Sequence, residues 1–267
     1  MNDEKQRLRI IYGDETLEKL KNSKVLIAGL GGVGSYAAEA ITRSFIDNIV
    51  LIDFDVYDIT NLNRQLHSTL DKVGMSKADN IQNNVYKINK NAKVTVIKDK
   101  LTDETIPRYI TKDIDFVIDA IDDVKAKISL IEYCYNNGIK IISSMGTGKK
   151  VHPEKLQISD IKKTSVCPLA KKLRYELKKR NVEKLPVVFS TEEIIRNNET
   201  NTLGSTPFVP ATAGLMLASY VVNQIAKEWR KNTLHSMEKS KNDFSIMMPL
   251  RGIMRGYYES NWYSKKY

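Results

Sequence analysis

At 267 residues, with 42% apolar and 28% charged positions, the chain has the makeup of a folded protein large enough to bury a substantial core. A formal net charge of +10 says little about fold but favours polyanionic partners, either nucleic acid or an anionic membrane surface. The two cysteines, Cys134 and Cys167, form no C-x-x-C pair, which excludes a disulfide framework and a cysteine-rich zinc site and fits a reducing cytoplasm.

The opening MNDEKQRLRI carries charges of both signs and no apolar run, so it is not read as a signal peptide. Residues 4–22 read as helical, with Leu8, Ile11, Leu17 and Leu20 in an apolar stripe broken around Gly13. Lys24–Ala28 then reads as a buried strand that runs into a glycine loop, KVLIAGLGGVGS. Gly29, Gly31 and Gly34 have the G-x-G-x-x-G spacing, with Gly32 between them. The first glycine permits a tight turn, the second lets backbone approach a phosphate, and the third lets the new helix pack on the strand. The helix N-terminus offers free N–H groups to an anion. Ser35–Arg43 continues that helix, a turn at Asp47 and Asn48 follows, and a second strand, Ile49–Ile52, ends at Asp53. A plain strand-to-helix turn would explain the glycines alone. It does not explain an acid nineteen residues after Gly34, where a dinucleotide fold places the carboxylate that holds a ribose hydroxyl.

Asp53 to His67 is polar and long for a strand-to-helix connection, and long polar loops in compact domains tend to be functional. Residues 76–88 return to helical spacing through Ala78, Ile81, Val85 and Ile88, and Lys93–Ile97 is a third strand. Asp115–Ala120 is a fourth, running into Ile121, Asp122 and Asp123; a helix from Val124 ends near Gly138, and Lys140–Ser144 makes a fifth strand before MGTGKK. Beyond Met145 the alternation becomes irregular, with strands at Lys155–Ser159 and Pro186–Thr191 bracketing a basic helix at Leu169–Arg180. A polar loop over 195–210 leads to an apolar helix, Ala211–Lys227. Ser219, Asn223 and Gln224 interrupt it and its apolar run falls short of the roughly 20 residues a bilayer span needs, so it is read as buried and no integral membrane segment is expected. From Trp229 the chain is basic and aromatic, with Tyr257, Tyr258, Trp262, Tyr263 and Tyr267, and either stacks unpaired bases or is disordered. The expected architecture is α/β: a Rossmann-like, doubly wound, mostly parallel sheet over 1–145, an irregular substrate-binding subdomain over 146–228, and a tail over 229–267.

Ligands of parallel sheets bind beyond the carboxyl ends of the strands, where the glycine loop, Asp53, Asp55, the loop residues Asn61, Asn63, Arg64 and Gln65, and Asp122 all fall, with Lys77 opening the next helix. Arg64 and Lys77 supply positive charge suited to a phosphoryl-transfer transition state, and Asp122 suits a magnesium ion, which takes one or two carboxylates plus phosphate oxygens. Hydride transfer has no need of those cations, so the nucleotide is read as ATP.

The series GLGGVGS, LIDFDVYDITNLNRQ, Lys77 and VIDAIDD resembles the ubiquitin-activating superfamily of ATP-dependent adenylating enzymes over residues 7–145. The resemblance implies that Asp53 contacts the ribose, that Asn61, Arg64, Gln65 and Lys77 contact ATP phosphates, that Asp122 serves the magnesium, and that Arg7 reaches the ATP of a partner subunit in a homodimer. Residues 146–174, with DIKKTSVCPLAKKLR, together with PVVFSTE and the alanine-rich helix at 211, resemble the branch of tRNA threonylcarbamoyladenosine dehydratases. That likeness implies ATP-driven cyclisation of the threonylcarbamoyl group on adenosine 37 of tRNA. The rival reading is an activator of a small ubiquitin-like sulfur-carrier protein, whose bacterial members usually carry two zinc-binding C-x-x-C pairs; their lack here disfavours it and leaves no zinc expected. A sulfur-transfer or cysteine desulfurase partner and a bound monovalent cation stay open. A third reading, a nucleotide-binding scaffold without chemistry, does not account for Arg64, Lys77 and Asp122 together.

Between Lys149 and Arg180 stand eleven basic and three acidic residues, most of the chain's excess charge. Lys171, Lys172, Arg174, Lys178, Lys179 and Arg180 are the candidate tRNA-phosphate contacts, against the plainer reading of a solvated helix face. Cys134 falls on an apolar helix face; Cys167, before Pro168 and among lysines, is the one thiol whose neighbours would acidify it. His67 is a candidate for proton transfer, whereas His152 and His235 have no partner legible in sequence.

Overall fold

The computed structural model describes residues 3–195 and 203–244. The expected N-terminal helix is two: α1 (Gln6–Tyr12) and α2 (Asp14–Asn22) meet at Gly13, whose φ of 77° breaks the hydrogen-bond ladder. Arg9 of α1 is held by Asp3 at 2.8 Å and by Asp14 at 2.6 Å. The alternating core follows as β1 (Lys24–Ala28), α3 (Gly34–Arg43), β2 (Asn48–Ile52), α4 (Lys77–Ile88), β3 (Lys93–Ile97), a short α5 (Ile106–Tyr109), β4 (Phe116–Asp119), α6 (Val124–Asn136) and β5 (Ile141–Ser144). The second half adds β6 (Leu156–Asp160), α7 (Pro168–Lys179), β7 (Pro186–Ser190) and α8 (Phe208–Phe244).

Among the described residues the seven strands form one sheet in the order β3-β2-β1-β4-β5-β7-β6, parallel except where β6 runs antiparallel to β7. The chain winds outward from β1 through β2 to β3, then returns to place β4 on the other side of β1. The switch point lies between β1 and β4, the place where doubly wound sheets open a crevice for ligands. One face is covered by α3, α4 and α8 and the other by α5, α6 and α7, so the central strands are buried on both sides. That is why KVLIA and FVID read as apolar runs, while the edge strands β3 and β6 are partly exposed.

Two expectations about the second half change. No boundary near Met145 divides the sheet, since β7 pairs with β5 and extends the same layer; Met1–Ala226 is one compact unit and a second begins at Lys227. The apolar stretch Phe208–Lys227, which lies in the first unit up to Ala226, is long enough to cross a membrane by length and composition, but half of it is buried. Val209, Ala213, Leu217, Val221 and Ile225 recur every four residues and pack into the core beneath the sheet. A Cβ on Gly214 would lie 2.2 Å from the Val33 carbonyl oxygen, so this helix approaches the start of α3 at backbone distance. In the second unit α8 continues to Phe244; the tail aromatics Tyr257, Tyr258, Trp262, Tyr263 and Tyr267 lie outside the described residues.

Candidate active site

The glycine loop is shaped by contacts that only backbone can make. Gly29 leaves β1 at φ 83°, and a Cβ there would lie 2.7 Å from the Ala120 carbonyl oxygen at the end of β4. A Cβ on Gly34 would lie 1.7 Å from the carbonyl oxygen of Gly29 itself. A Cβ on Gly31, by contrast, would meet nothing nearer than Gln65 Nε2 at 3.8 Å among the described residues. Two glycines thus close the turn and one leaves a face for an anion. The start of α3 carries no side-chain cap, and although Ser35 N–H donates to the Gly31 carbonyl at 3.0 Å, a helix N-terminus of this kind favours an anion.

Asp53, at the end of β2, is wired to this loop: Leu30 N–H donates to Oδ2 at 2.6 Å and Asp55 N–H to Oδ1 at 2.8 Å. Burial pushes its carboxyl above the usual range, while those N–H bonds and the nearby Lys77 pull the other way. Lys77, buried at the first turn of α4 behind the Ser76 cap, donates to Asp55 Oδ2 at 2.8 Å. The chain between them forms a 3₁₀ turn, Ile59–Asn61, closed by a capping box in which Thr60 N–H donates to Asp58 and Asp58 N–H donates to Asn61 Oδ1 at 3.1 Å.

The structure divides the polar loop by task. Asn61 folds the loop, and Asn63 ties it to the segment after residue 203 by donating to the Ser205 carbonyl at 2.9 Å. Arg64 donates to the Thr60 carbonyl at 2.7 Å and to Asn63 Oδ1 at 3.0 Å, with its Cγ 3.3 Å from where a Cβ of Gly32 would be. Gln65 is buried against Gly31 with its Oε1 unpartnered. A buried carboxamide with an unsatisfied end beside an open glycine and an uncapped helix start fits a ligand that brings its own polar atoms.

Below Asp53 a cleft of about 210 Å³ opens between the ends of β1, β2 and β4. Leu101, Ile121 and Ala126 give it apolar walls; Phe54, with Lys100 Nζ 4.9 Å from its ring centre, adds an aromatic rim. That volume suits the base and ribose of a nucleotide, with its phosphates outside along the glycine loop toward Arg64 and Lys77. Asp122 lines the same cleft, exposed and without a hydrogen-bond partner among the described residues, while its neighbour Asp123 caps α6 by accepting from Ala126 N–H at 2.9 Å.

Sequence reasoning missed what holds Asp122 in place. Asp119, fully buried at the end of β4, accepts from Lys127 Nζ at 2.7 Å and from Ser143 Oγ at 2.6 Å on one oxygen, and from Ile121 N–H at 3.1 Å on the other. The ion pair thereby fixes the turn that presents Asp122. A signal existed: Lys127 shares an apolar stripe with Leu130, Ile131 and Cys134, a place where a lysine needs a buried partner. Lys150 was also missed; it is buried with Nζ 3.4 Å from the Ser190 carbonyl, and burial holds it below the usual lysine range.

The thiols and imidazoles stand apart from the cleft. Cys134 is core, its thiol pushed up to about 12 by burial. Cys167, read as a loop cysteine among lysines, is buried at the start of α7 against Gly146. His67 lies 3.4 Å from Glu39 of α3, and His152, expected to have no partner, pairs with Glu154 at 2.8 Å on the surface. The side chain of His235 falls outside the described residues. Arg7 is exposed and forms no ion pair among the described residues.

Of the six cations proposed for tRNA on α7, three are engaged. Arg174 donates to Thr164 through both its carbonyl and its hydroxyl, Lys179 lies over the Tyr175 ring at 4.0 Å and 3.8 Å from Glu176, and Arg180 bridges Glu176 at 2.8 Å and Glu132 at 3.0 Å. Lys171, Lys172 and Lys178 are exposed and form no ion pair among the described residues.

A glycine loop and a buried carboxylate at the switch point of a parallel sheet, with a cationic asparagine-rich loop beside them, define a nucleotide-binding α/β enzyme of the ubiquitin-activating kind. Comparison with known proteins places it more closely: residues 3–251 match the ThiF family, to which the chain belongs. A tRNA threonylcarbamoyladenosine dehydratase of Bacillus subtilis is 40% identical over 239 residues, 83% of this chain and 94% of that protein. Crystal structures of the Escherichia coli tRNA N6-threonylcarbamoyladenosine dehydratase, in complex with ATP and with AMP, superpose with a TM-score of 0.80 at 34% identity, covering 85% of this chain and 96% of theirs. A molybdopterin-synthase adenylyltransferase of Haemophilus influenzae is 32% identical over 126 residues, 47% of this chain and 51% of that protein.

Proposed function

We propose that the chain is an ATP-dependent tRNA threonylcarbamoyladenosine dehydratase. The observation that carries this is likeness to such enzymes over nearly their whole length, supported by a cleft at the sheet's switch point whose glycine loop, Asp53 and Asp122 suit a nucleotide. The sulfur-carrier reading is weaker, because its relative aligns with only 47% of the chain and the sequence holds no C-x-x-C pair.

Bound ATP supplies the activation of the threonylcarbamoyl carboxylate. Asp53 would hold the ribose, the Gly31 face and the α3 N-terminus would receive phosphate oxygens, and Arg64 and Lys77 would balance the charge that grows there. Asp122 is the carboxylate for a magnesium ion. Among the described residues no group of three His, Cys, Asp or Glu is gathered, but a nucleotide-bound magnesium takes only one or two carboxylates. Ring closure then uses a nucleophile on the same tRNA side chain, with net loss of one water, so proximity does the work and neither buried cysteine is needed. A cytoplasmic setting suits two cysteines kept as thiols.

The deciding assay incubates the chain with ATP and threonylcarbamoylated tRNA and weighs the nucleosides after digestion. A nucleoside lighter by one water, formed only with ATP, is expected; unchanged nucleoside would remove the assignment. A homodimer is also expected, because Arg7 would complete the partner's ATP site. Light scattering should return twice the 30.4 kDa of the chain. A species at the monomer mass in the micromolar range would leave Arg7 without that role.

A further inference from the structure

Helices α6 and α7 run side by side in the same direction, both starting at the carboxyl ends of the strands: α6 follows β4, and the first residue before α7, Cys167, lies against Gly146 just past β5. Between them lies a groove of about 370 Å³. Its two ends differ in charge. At the far end Arg180 is neutralised by Glu132 and Glu176. At the near end Lys125 of α6 and Lys172 of α7 face the groove, both exposed, with neither in an ion pair among the described residues and Asp103 as the one acid lining that end. Ser129 adds a hydroxyl between them.

The near end adjoins the nucleotide cleft. Ala126 and Asp123, in the first turn of α6, line the cleft, and Lys125, between them in sequence, lines the groove. A tRNA nucleotide presented to ATP held in that cleft would find this turn, and the groove beside it, within reach of its backbone. The two helix N-termini add positive potential at the same end.

We propose that this groove takes the backbone phosphates flanking the modified nucleotide, through Lys125 and Lys172. The proposal rests on the dehydratase reading for its choice of tRNA. It narrows the basic face of α7 to its first half and adds a residue from a different helix. Lys178 lies about 9 Å further along the axis and lines, with Lys162, a separate depression at the other end of α7. Those two serve as the control.

The test measures binding of threonylcarbamoylated tRNA to the full chain at several salt concentrations, for Lys125→Gln/Lys172→Gln and for Lys162→Gln/Lys178→Gln. Each phosphate contact contributes about 0.7 (single strand) to 0.9 (duplex) to the slope of log affinity against log salt, so the first pair should flatten it by roughly 1.4 to 1.8. The control pair should leave the slope unchanged, and neither pair should alter ATP affinity. An unchanged slope in the first pair overturns the groove, and equal flattening in both pairs assigns the effect to diffuse surface charge and overturns it too. Product formation by the unsubstituted chain is scored separately. If it forms product while the first pair keeps its slope, only the groove falls; if it forms none while that slope flattens, the reaction falls and the groove stands as an RNA surface.

Discussion

Asp122→Ala and Arg64→Ala are each expected to lower turnover by about 10²- to 10³-fold, roughly 2.7 to 4 kcal/mol of transition-state stabilisation if each acts like one lost oxyanion donor. Neither side chain supports the fold. Asp122 is exposed with no partner among the described residues, and Arg64 bonds only within its own loop, to Thr60 and Asn63. The thermal midpoint should therefore stay close to that of the unsubstituted chain. Arg64 acts on charge that develops during activation, so kcat should fall with little change in KM for ATP. Activity held within a few-fold in both variants would mean the phosphates and metal lie elsewhere.

Lys127→Met is expected to cost about 3 to 5 kcal/mol of stability, because it strands the Asp119 carboxylate in a fully buried position. Ser143 Oγ would remain at 2.6 Å, but one hydroxyl does not balance a buried charge. Adding Asp119→Asn removes the charge; its one amide oxygen can still accept from Ile121 N–H while its amide nitrogen donates to the Ser143 hydroxyl, so the double variant should recover at least half of the loss. Urea unfolding of both variants measures this. If the single variant unfolds within 1 kcal/mol of the parent, about what an exposed pair is worth, the pair is not the anchor of the β4 turn. Turnover of the refolded double variant reports separately on how well the turn still presents Asp122.

Much of the site was legible because its chemistry is local. A strand followed by glycines at fixed spacing, and an acid one strand later, can be read without knowing where the rest of the chain goes, since the βαβ connection dictates the geometry between them. Asp53 meets Leu30 N–H through that constraint alone. The long polar loop announced itself by length and composition, yet its residues were assigned one role when they have several. Asn61 and Asn63 look identical in sequence; one closes a capping box and the other reaches a carbonyl 142 residues away.

The amino-acid sequence by itself determined the alternating α/β order, the glycine loop, the acid that ends β2 and the charge that suits RNA, because each depends on periodicity, spacing or composition within a few dozen residues. Only the tertiary structure decided the rest. It showed that β6 and β7 extend one sheet rather than found a second domain, because strand pairing joins Ser143 to Val187 across more than forty residues of chain. It separated the engaged cations of α7 from the free ones, because an ion pair such as Arg180 with Glu132 depends on how two helices lie together. And it buried Lys127 against Asp119, a pairing set by the packing of α6 on β4 that composition cannot express.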